Sequence, residues 1–569
     1  MSEQSPVQRS AGYYRFAEFC QHVWIYALLI VGSLVFAWPF LWMATTSVKV
    51  DREMFGEKIH LWPQRPIPQV KSPYVDTRYY DDLTGTRMGE LLPVLEDHLQ
   101  RMDYTWPPEV DRATAIKQVA RGVFKKLQDT MPMDVWNSAA LPAEATKRVD
   151  ASMVSDVLGE IRRALLFGQM RARSYDLKED QLVAPDKVST AWQVGGSGKA
   201  ELVQIDDPHD PHAELRYDFT RGDKVELSQT FHTSFPLEVV DETGRHVNNL
   251  YRIELYLRND DTWHPLIVYV EKLGKKFRAE QPYDLADFNN WGIGTWQEPG
   301  PDDKTNKIRS WKLLREVGPS TVTGPNDLRV TIEVDRNTAA GAWWAKIRRN
   351  YGFALEHLPF TRYVATSLFL VILNLVGTLL SCSLVAYSFA RLQWPGRNFS
   401  FALMLATMMV PGQVTMIPYF LIMRSLGWYN TLYPLWVGSF FAGAFNVFLL
   451  RQFLRGIPRD LEDAAKIDGC GFWRVYWHIM LPLVKPTLAA IAIFTFMGTW
   501  NEFIGPVIYL QDQRLYPLAL GLYAFNVESG GSMSMMMAGS LLMTAPVIII
   551  FFFAQKYFIQ GVTLTGMKG

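Results

Sequence analysis

The chain has 569 residues, with 57 Lys and Arg against 57 Asp and Glu, so its formal net charge is +0. That balance argues against bulk binding of nucleic acid. A mean hydropathy of -0.02 averages two unlike regions: long apolar runs near the start and over roughly the last 210 residues, and a charged, turn-rich middle from about 50 to 345.

Residues 1–21 read as a cytoplasmic tail, and "HVWIYALLIVGSLVFAWPFLWMATTSV" (22–48) as the first transmembrane helix. The run is long enough for a bilayer of ~30 Å. It is too long for a signal-peptide core and no small-residue cleavage site follows, so an uncleaved signal anchor is expected.

Residues 49–345 form an insertion between spans. Within 85–170, Met88, Leu91, Leu92, Leu95 and Leu99 recur at helical spacing. So do Ile116, Val119, Val123, Phe124 and Leu127, and then Val154, Val157, Leu158, Ile161 and Leu165. From 186 to 335, "AELRYDF", "YRIELYLRN", "PLIVYVEKL" and "LRVTIEVD" read as strands separated by turn residues, and an antiparallel β-sandwich is expected. Cys20, Cys382 and Cys470 all lie outside this region, so it holds no disulfide framework and relies on its own core.

The segment 346–569 carries five more apolar runs, about 361–389, 399–423, 432–453, 486–510 and 536–558. Their length and repetition exclude the buried helices of a large soluble protein. The fold class expected is a polytopic α-helical membrane protein of six transmembrane helices with an α+β extracytoplasmic insertion. Arg391 and Arg397, then Arg451, Arg455, Arg459, Lys466 and Arg474, then Lys556 and Lys568 mark cytoplasmic loops, with Arg424 a lone exception. Arg9 and Arg15 before the first span balance Lys49 and Arg52 after it, so parity decides. Six spans with a cytoplasmic C-terminus require a cytoplasmic N-terminus and put the insertion on the periplasmic or extracellular side.

Between the fourth and fifth runs lies "LEDAAKIDGCGFWRVYWHIMLP" (461–482). Pro458 suits a first helical turn. Asp460, Glu462 and Asp463 near the start and Lys466 toward the end complement the helix dipole. Leu461, Ala464, Ala465 and Asp468 are expected on one face, and Gly469 in a left-handed cap. A second short helix over about 472–480 is expected to end at Leu481-Pro482. Two short helices around a glycine bend would then lie at the cytoplasmic surface, either as a docking element or as an ordinary amphipathic surface helix.

Asp463, Ala464, Ala465, Gly469, Ile479, Leu481 and Pro482 resemble the cytoplasmic loop motif of binding-protein-dependent ABC importer permeases. Asp463 stands where that family usually has Glu, and Cys470 where a small residue is common. "NYGFALEHLPFTRYVATSLFL", "AYSFARLQWPGR", "MMVPGQVTMIPYFLIMRSLGWYNTL", "WNEF" and "GVTLTGMKG" resemble segments of the carbohydrate, maltose-type small permeases; Thr366 replaces a common Asn. The resemblance covers about 350–569 and loosely the first span, and none of the insertion. It implies that 458–482 is a coupling loop and that the chain is one permease subunit of a sugar or polyol importer in the bacterial inner membrane. It implies docking through Asp463, Ala464, Ala465, Asp468, Gly469, Leu481 and Pro482 onto a dimer of ATP-binding subunits, which carry the ATP and Mg. A second permease and an extracytoplasmic solute-binding protein are the other implied partners, and the chain itself is neither an enzyme nor a cofactor holder.

Glu502 sits inside an apolar run, where a charge costs about 2.5–3.5 kcal/mol at the bilayer centre. With Trp500 and Asn501 it belongs either to the substrate path or gate or to the anchoring of a span end at headgroup level. Pro411 and Pro418 flank Gly412, Gln413 and Thr415, which suits a broken helix along the path or a plain kink. Asn446 is a weaker path candidate against an interhelical hydrogen bond.

"GGSGKA" (195–200) fails the phosphate-loop pattern at Gln193 and Ala200 and reads as a turn. "DPHDPH" with His209 and His212 reads as a solvated loop before a metal site. Trp263, Trp291, Trp296 and Trp311 are either core or a sugar-stacking platform. A competing function is a membrane-anchored extracytoplasmic receptor or scaffold whose working part is the insertion.

Overall fold

The computed structural model describes residues 11–50, 52–55, 60–81, 83–108, 111–207, 210–286, 291–299, 311–528 and 533–563. His209, Lys568, Arg9 and most of the closing "GVTLTGMKG" lie outside them. The chain divides into two compact units. One contains the first helix and everything described from Phe360 onward; the other contains Val50, the short helix Arg52–Phe55 and the described residues between Gln64 and Pro359. The second unit therefore runs on to Pro359, past the expected limit at 345, because the helix Ala339–His357 packs within it.

In the helical unit, Ala11–Thr46 is one helix with Pro39 inside it. From His22 onward it is apolar all round, with exposed Trp24, Leu28 and Phe36, as befits a helix solvated by lipid. Phe360–Arg391 is a second continuous apolar helix, 32 residues long. The next three expected spans are broken, while the last, 536–558, lies within one helix. Over 399–423 two helices, Arg397–Thr407 and Gly412–Ser425, meet at 98°. Pro411 supplies the break: it has no N–H to donate and forces its neighbour out of the helical region. Over 432–453 two 3-10 pieces, Tyr433–Leu435 and Val437–Phe441, precede the helix Ala444–Gly456. Their backbone is met by side chains of the long helix: Asn374 Nδ2 donates to Leu435 O at 3.1 Å and Ser381 Oγ to Ser439 O at 3.0 Å. Gly377 makes this approach feasible, because a Cβ there would collide with Ser439 and Phe440. Over 486–510, Lys485–Trp500 and Ile504–Tyr509 are separate helices. Leu518–Glu528 and Met533–Thr563 close the unit.

The second unit has a helical part and a sheet part. Leu91, Leu95, Leu99, Val119, Val123, Phe124, Leu127, Val154, Val157 and Ile161 are buried together in one cluster. Two of its helices are capped by acids: Asp111 accepts from Thr114 N–H at 3.0 Å and Asp150 from Met153 N–H at 2.7 Å. The last member of the expected pattern, Leu165, is not helical. The helix ends at Ile161, and Leu165 opens the strand Leu165–Ser174. Its spacing fits both periods, and the sheet core claims it.

The strands start well before 186, and fourteen of the described ones join in one sheet, eleven along a single path of hydrogen bonds and three off it. Pairing is antiparallel except between Trp291–Gln297 and Lys312–Pro319, which run parallel. Among the described residues, that two-residue parallel pair is the link between two otherwise antiparallel sets of strands. Inward residues from strands far apart on the path, such as Phe167, Leu255, Val268 and Val330, nonetheless share one core. Trp263 and Trp296 are buried, which removes them from any surface platform; Trp291 and Trp311 are half-buried.

Candidate functional site

The segment 458–482 folds as a helix, a tight bend and a second helical stretch. The helix Asp460–Ile467 carries Asp460, Glu462 and Asp463 in its first turn and Lys466 in its last, so its charges complement the helix dipole. Gly469 has φ +79. The Cys470 N–H donates to Ala465 O at 2.9 Å and the Gly469 N–H to Lys466 O at 3.0 Å, the paired bonds of a Schellman cap. Helical structure then resumes at Phe472 and continues through Leu483, beyond the expected stop at Leu481-Pro482. Residues Tyr476–Met480 form a π-helical turn. Pro482 cannot donate back to the preceding turn, and widening that turn accommodates its ring.

The inner side of this element is fastened to the helix Phe360–Arg391. The Arg391 guanidinium forms a buried ion pair with Glu462, Nε to Oε1 3.2 Å. It also donates to Leu454 O, which accepts the Ile457 N–H as well, and, at 2.6 Å, to Ile457 O, both at the end of the helix Ala444–Gly456. Ser383 Oγ and Tyr476 Oη share a 2.7 Å hydrogen bond in the interior. Ala465, Val475, Tyr476 and Met480 pack with Cys382, Ala386, Tyr387, Val447 and Leu450. Ala465, expected on the outward face, is buried; Leu461, Ala464 and Asp468 are exposed. Asp463 is exposed and pairs with Lys466 at 3.1 Å. The outward side is apolar for a charged segment: Leu461, Phe472 and Trp473 are exposed, and Ile467 is 87% exposed.

The other site candidates occupy helix breaks. Gln413 and Thr415 are exposed just after the 98° bend, with Thr415 Oγ1 donating to Gly412 O at 2.9 Å. Trp500 is buried, stacks on Phe496 at 5.7 Å and donates its indole N–H to Met543 O at 3.2 Å. That geometry ties the helix Lys485–Trp500 to the final helix. Asn501 is exposed and donates to Met497 O at 2.9 Å. Glu502, one residue before the N-cap Phe503, accepts the Gly505 N–H at 2.8 Å and so satisfies one open N–H in the first turn of the helix Ile504–Tyr509. Asn446 is half-buried near Gly443, on a different helix from these. The structure thus brings Trp500, Asn501 and Glu502 together at one break, and Gln413 and Thr415 at another. Sequence reasoning missed Arg391, Ser383, Glu462 and Tyr476; Arg391 entered it only as a topological charge.

"GGSGKA" forms a strand end and a turn, with the Gly198 N–H given to Lys224 O at 2.7 Å. His212 lies against Trp291, with ring centroids 5.7 Å apart. Among the described residues no group of three or more His, Cys, Asp or Glu is placed to hold a metal.

Residues 380–564 match the family described as binding-protein-dependent transport system inner membrane component. The arabinooligosaccharides transport system permease protein AraQ of Halalkalibacterium halodurans is 34% identical over 260 residues, covering 46% of this chain and 86% of AraQ. The chain belongs to the sugar ABC permeases of the maltose-type family. The permease is also similar to AraQ of Bacillus subtilis, 37% identical over 210 residues, 37% of this chain and 74% of that protein. A solved bacterial ABC transporter involved in the import of alginate aligns with 37% of the permease and 79% of its own chain, at 26% identity and a TM-score of 0.33. The matched family residues take in the whole 458–482 element and none of the strand-rich unit. The permease is therefore a transport component of the inner membrane.

Proposed function

We propose that the chain is one of two permease subunits of an importer for an oligosaccharide or related sugar, driven by ATP hydrolysis on two partner subunits. The observation that carries this reading is the two-sided 458–482 element. Its inner side is bolted to the long helix through Arg391–Glu462 and Ser383–Tyr476, and its outer side presents Leu461, Ala464, Ile467, Phe472 and Trp473. Such an element transmits displacement. A partner gripping the outer side moves the Phe360–Arg391 helix with it, because the inner contacts are buried and stiff.

In this reading Asp463, Ala464, Asp468 and Gly469 meet the ATP-binding subunit, and Ala465, Leu481 and Pro482 hold the element's shape. ATP and Mg bind the partner subunits and not this chain. Gln413, Thr415, Asn446, Trp500, Asn501 and Glu502 border the path or support it, since broken helices are tolerated at membrane depth where they line a cavity. Two described helices are long and apolar enough to span a membrane, or four with each bent pair counted once; six spans, which take in 432–453 and the final helix as well, would put both termini in the cytoplasm and the strand-rich unit outside, where a solute-binding protein delivers the sugar. The substrate class follows the relatives, which carry the names of arabino-, galacto- and chito-oligosaccharide systems.

The test is reconstitution of the chain with its second permease, ATP-binding subunits and binding protein in vesicles. ATP hydrolysis should rise with the sugar-loaded binding protein, and labelled oligosaccharide should accumulate. Hydrolysis indifferent to the loaded binding protein, or a 458–482 segment reachable only from outside, would end this reading.

A further inference from the structure

We infer that a cleft between two bare strand edges in the strand-rich unit is a strand-addition site for an extended segment of a partner protein, one that alternates basic and apolar residues. The strand Glu179–Val183 pairs with Leu165–Ser174 on one side, and among the described residues no strand pairs with its other edge. The strand Lys224–His232 pairs along its whole length with Asp327–Asp335. On its other side the strand Gln193–Gly196 covers only Val225–Ser228. Gln229–His232 is therefore open on that edge.

These two open stretches border one cavity of about 510 Å³, walled by Asp180, Gln181 and Leu182 on one side and by Thr230 through Ser234 on the other. One end is closed where the Ser234 N–H and Oγ–H both donate to the Asp180 carboxylate, at 2.6 and 2.5 Å. Unpaired strand edges are templates for another chain, and neither open stretch carries the lysine or proline that commonly blunts one. The cleft has room for about four extended residues, ~13 Å at ~3.3 Å each.

The lining sets the chemistry of the occupant. Leu182 and Phe231 pack against the sheet core, with Trp192 edge-on to Phe231 at 5.7 Å, so alternate side chains of an added strand would meet an apolar floor. Asp180 flanks the cleft, and its carboxylate is the acid in the lining. Basic residues at the remaining positions complement that acid. A sugar would use the side-chain hydroxyls and amides and leave the backbone edges unmet.

The experiment uses the full chain in lipid nanodiscs and a labelled, end-blocked pentapeptide of alternating lysine and valine. A second peptide carries N-methyl groups on alternate residues. Saturable binding of the first is expected, with slowed amide exchange at 179–183 and 229–232, and N-methylation should weaken it at least ~10-fold through lost backbone hydrogen bonds. Four outcomes would overturn the inference: no saturable binding, equal binding of the methylated peptide, protection confined to other segments, or protection of these edges by maltotriose and not by the peptide. None of these readouts involves uptake, so failure here leaves the transport reading intact.

Discussion

Arg391 and Glu462 form a buried ion pair, 3.2 Å apart, that joins the end of the longest described apolar span to the first turn of the 458–482 element. Breaking a buried pair by removing one partner strands the other charge and costs about 3–5 kcal/mol. Glu462→Gln or Arg391→Met should therefore lower the melting temperature and cut sugar-stimulated ATP hydrolysis in the assembled transporter. The double variant Arg391→Met, Glu462→Met should recover the stability lost to the stranded charge, but neither what Arg391 supplies to Leu454 O and Ile457 O nor the stimulation. If the two single variants melt like the parent, the pair is not the fastening described.

Gly469 tests the bend by itself. Within the chain a Cβ there meets nothing within 4 Å, and φ is +79, so Asn and Val, similar in size at the partner's surface, differ chiefly in backbone strain. Asn tolerates this region, whereas a β-branched residue loses roughly 1–2 kcal/mol. Gly469→Asn should retain coupled hydrolysis and Gly469→Val should lose it, with membrane insertion equal in both. Similar behaviour of the two variants would show that the bend angle does not matter.

Glu502 separates a structural from a transport role. As the cap of Ile504–Tyr509 it needs only an acceptor oxygen. Glu502→Gln keeps one, and Glu502→Ala loses about 1 kcal/mol of capping. Uptake that survives Gln and falls with Ala identifies the cap as the role. Uptake lost equally in both identifies the charge, and with it a place beside the substrate.

His264 gives the strand-rich unit a pH dependence. Its Nδ1 accepts the Asn337 N–H at 3.0 Å, so the proton resides on Nε2, which donates to Gln69 O at 2.8 Å. Burial holds its pKa below the usual 6.5, against the opposite pull of Asp260 and the Gln69 carbonyl; Arg336 adds to the lowering. The folded form thus binds fewer protons than the unfolded one below pH 6.5. The stabilisation is complete above 6.5 and is lost as pH falls from there through the lower folded value. Melting followed between pH 8 and 5 should show this decline, and His264→Gln should flatten it. A parent protein equally stable at both ends contradicts the assignment.

Local rules made much of this legible. The insertion's helices follow the three-four spacing of Leu91, Leu95 and Leu99, and of Val154, Val157, Leu158 and Ile161, all of them buried. Leu165 shows the limit: four residues on from the end of a helix, one residue fits two periods, and only its neighbours across the sheet decide. The spans show another. Composition reveals that 432–453 and 486–510 are apolar, but a broken helix and a straight one have the same composition. Where they break depends on whether side chains such as Asn374, Ser381 and Glu502 are at hand to satisfy the freed backbone.

The sequence by itself determined the bend at Gly469, the apolar character of the spans and the family motif, because each depends on residue type and spacing along a few turns. The tertiary structure decided which side of the 458–482 helix is fastened and which is free. Glu462 and Asp463 are adjacent acids with the same propensities, yet one is buried against Arg391 and the other faces outward. Trp500 likewise became an interior pin through a carbonyl 43 residues away. Such assignments depend on long-range partners, which spacing along the chain does not encode.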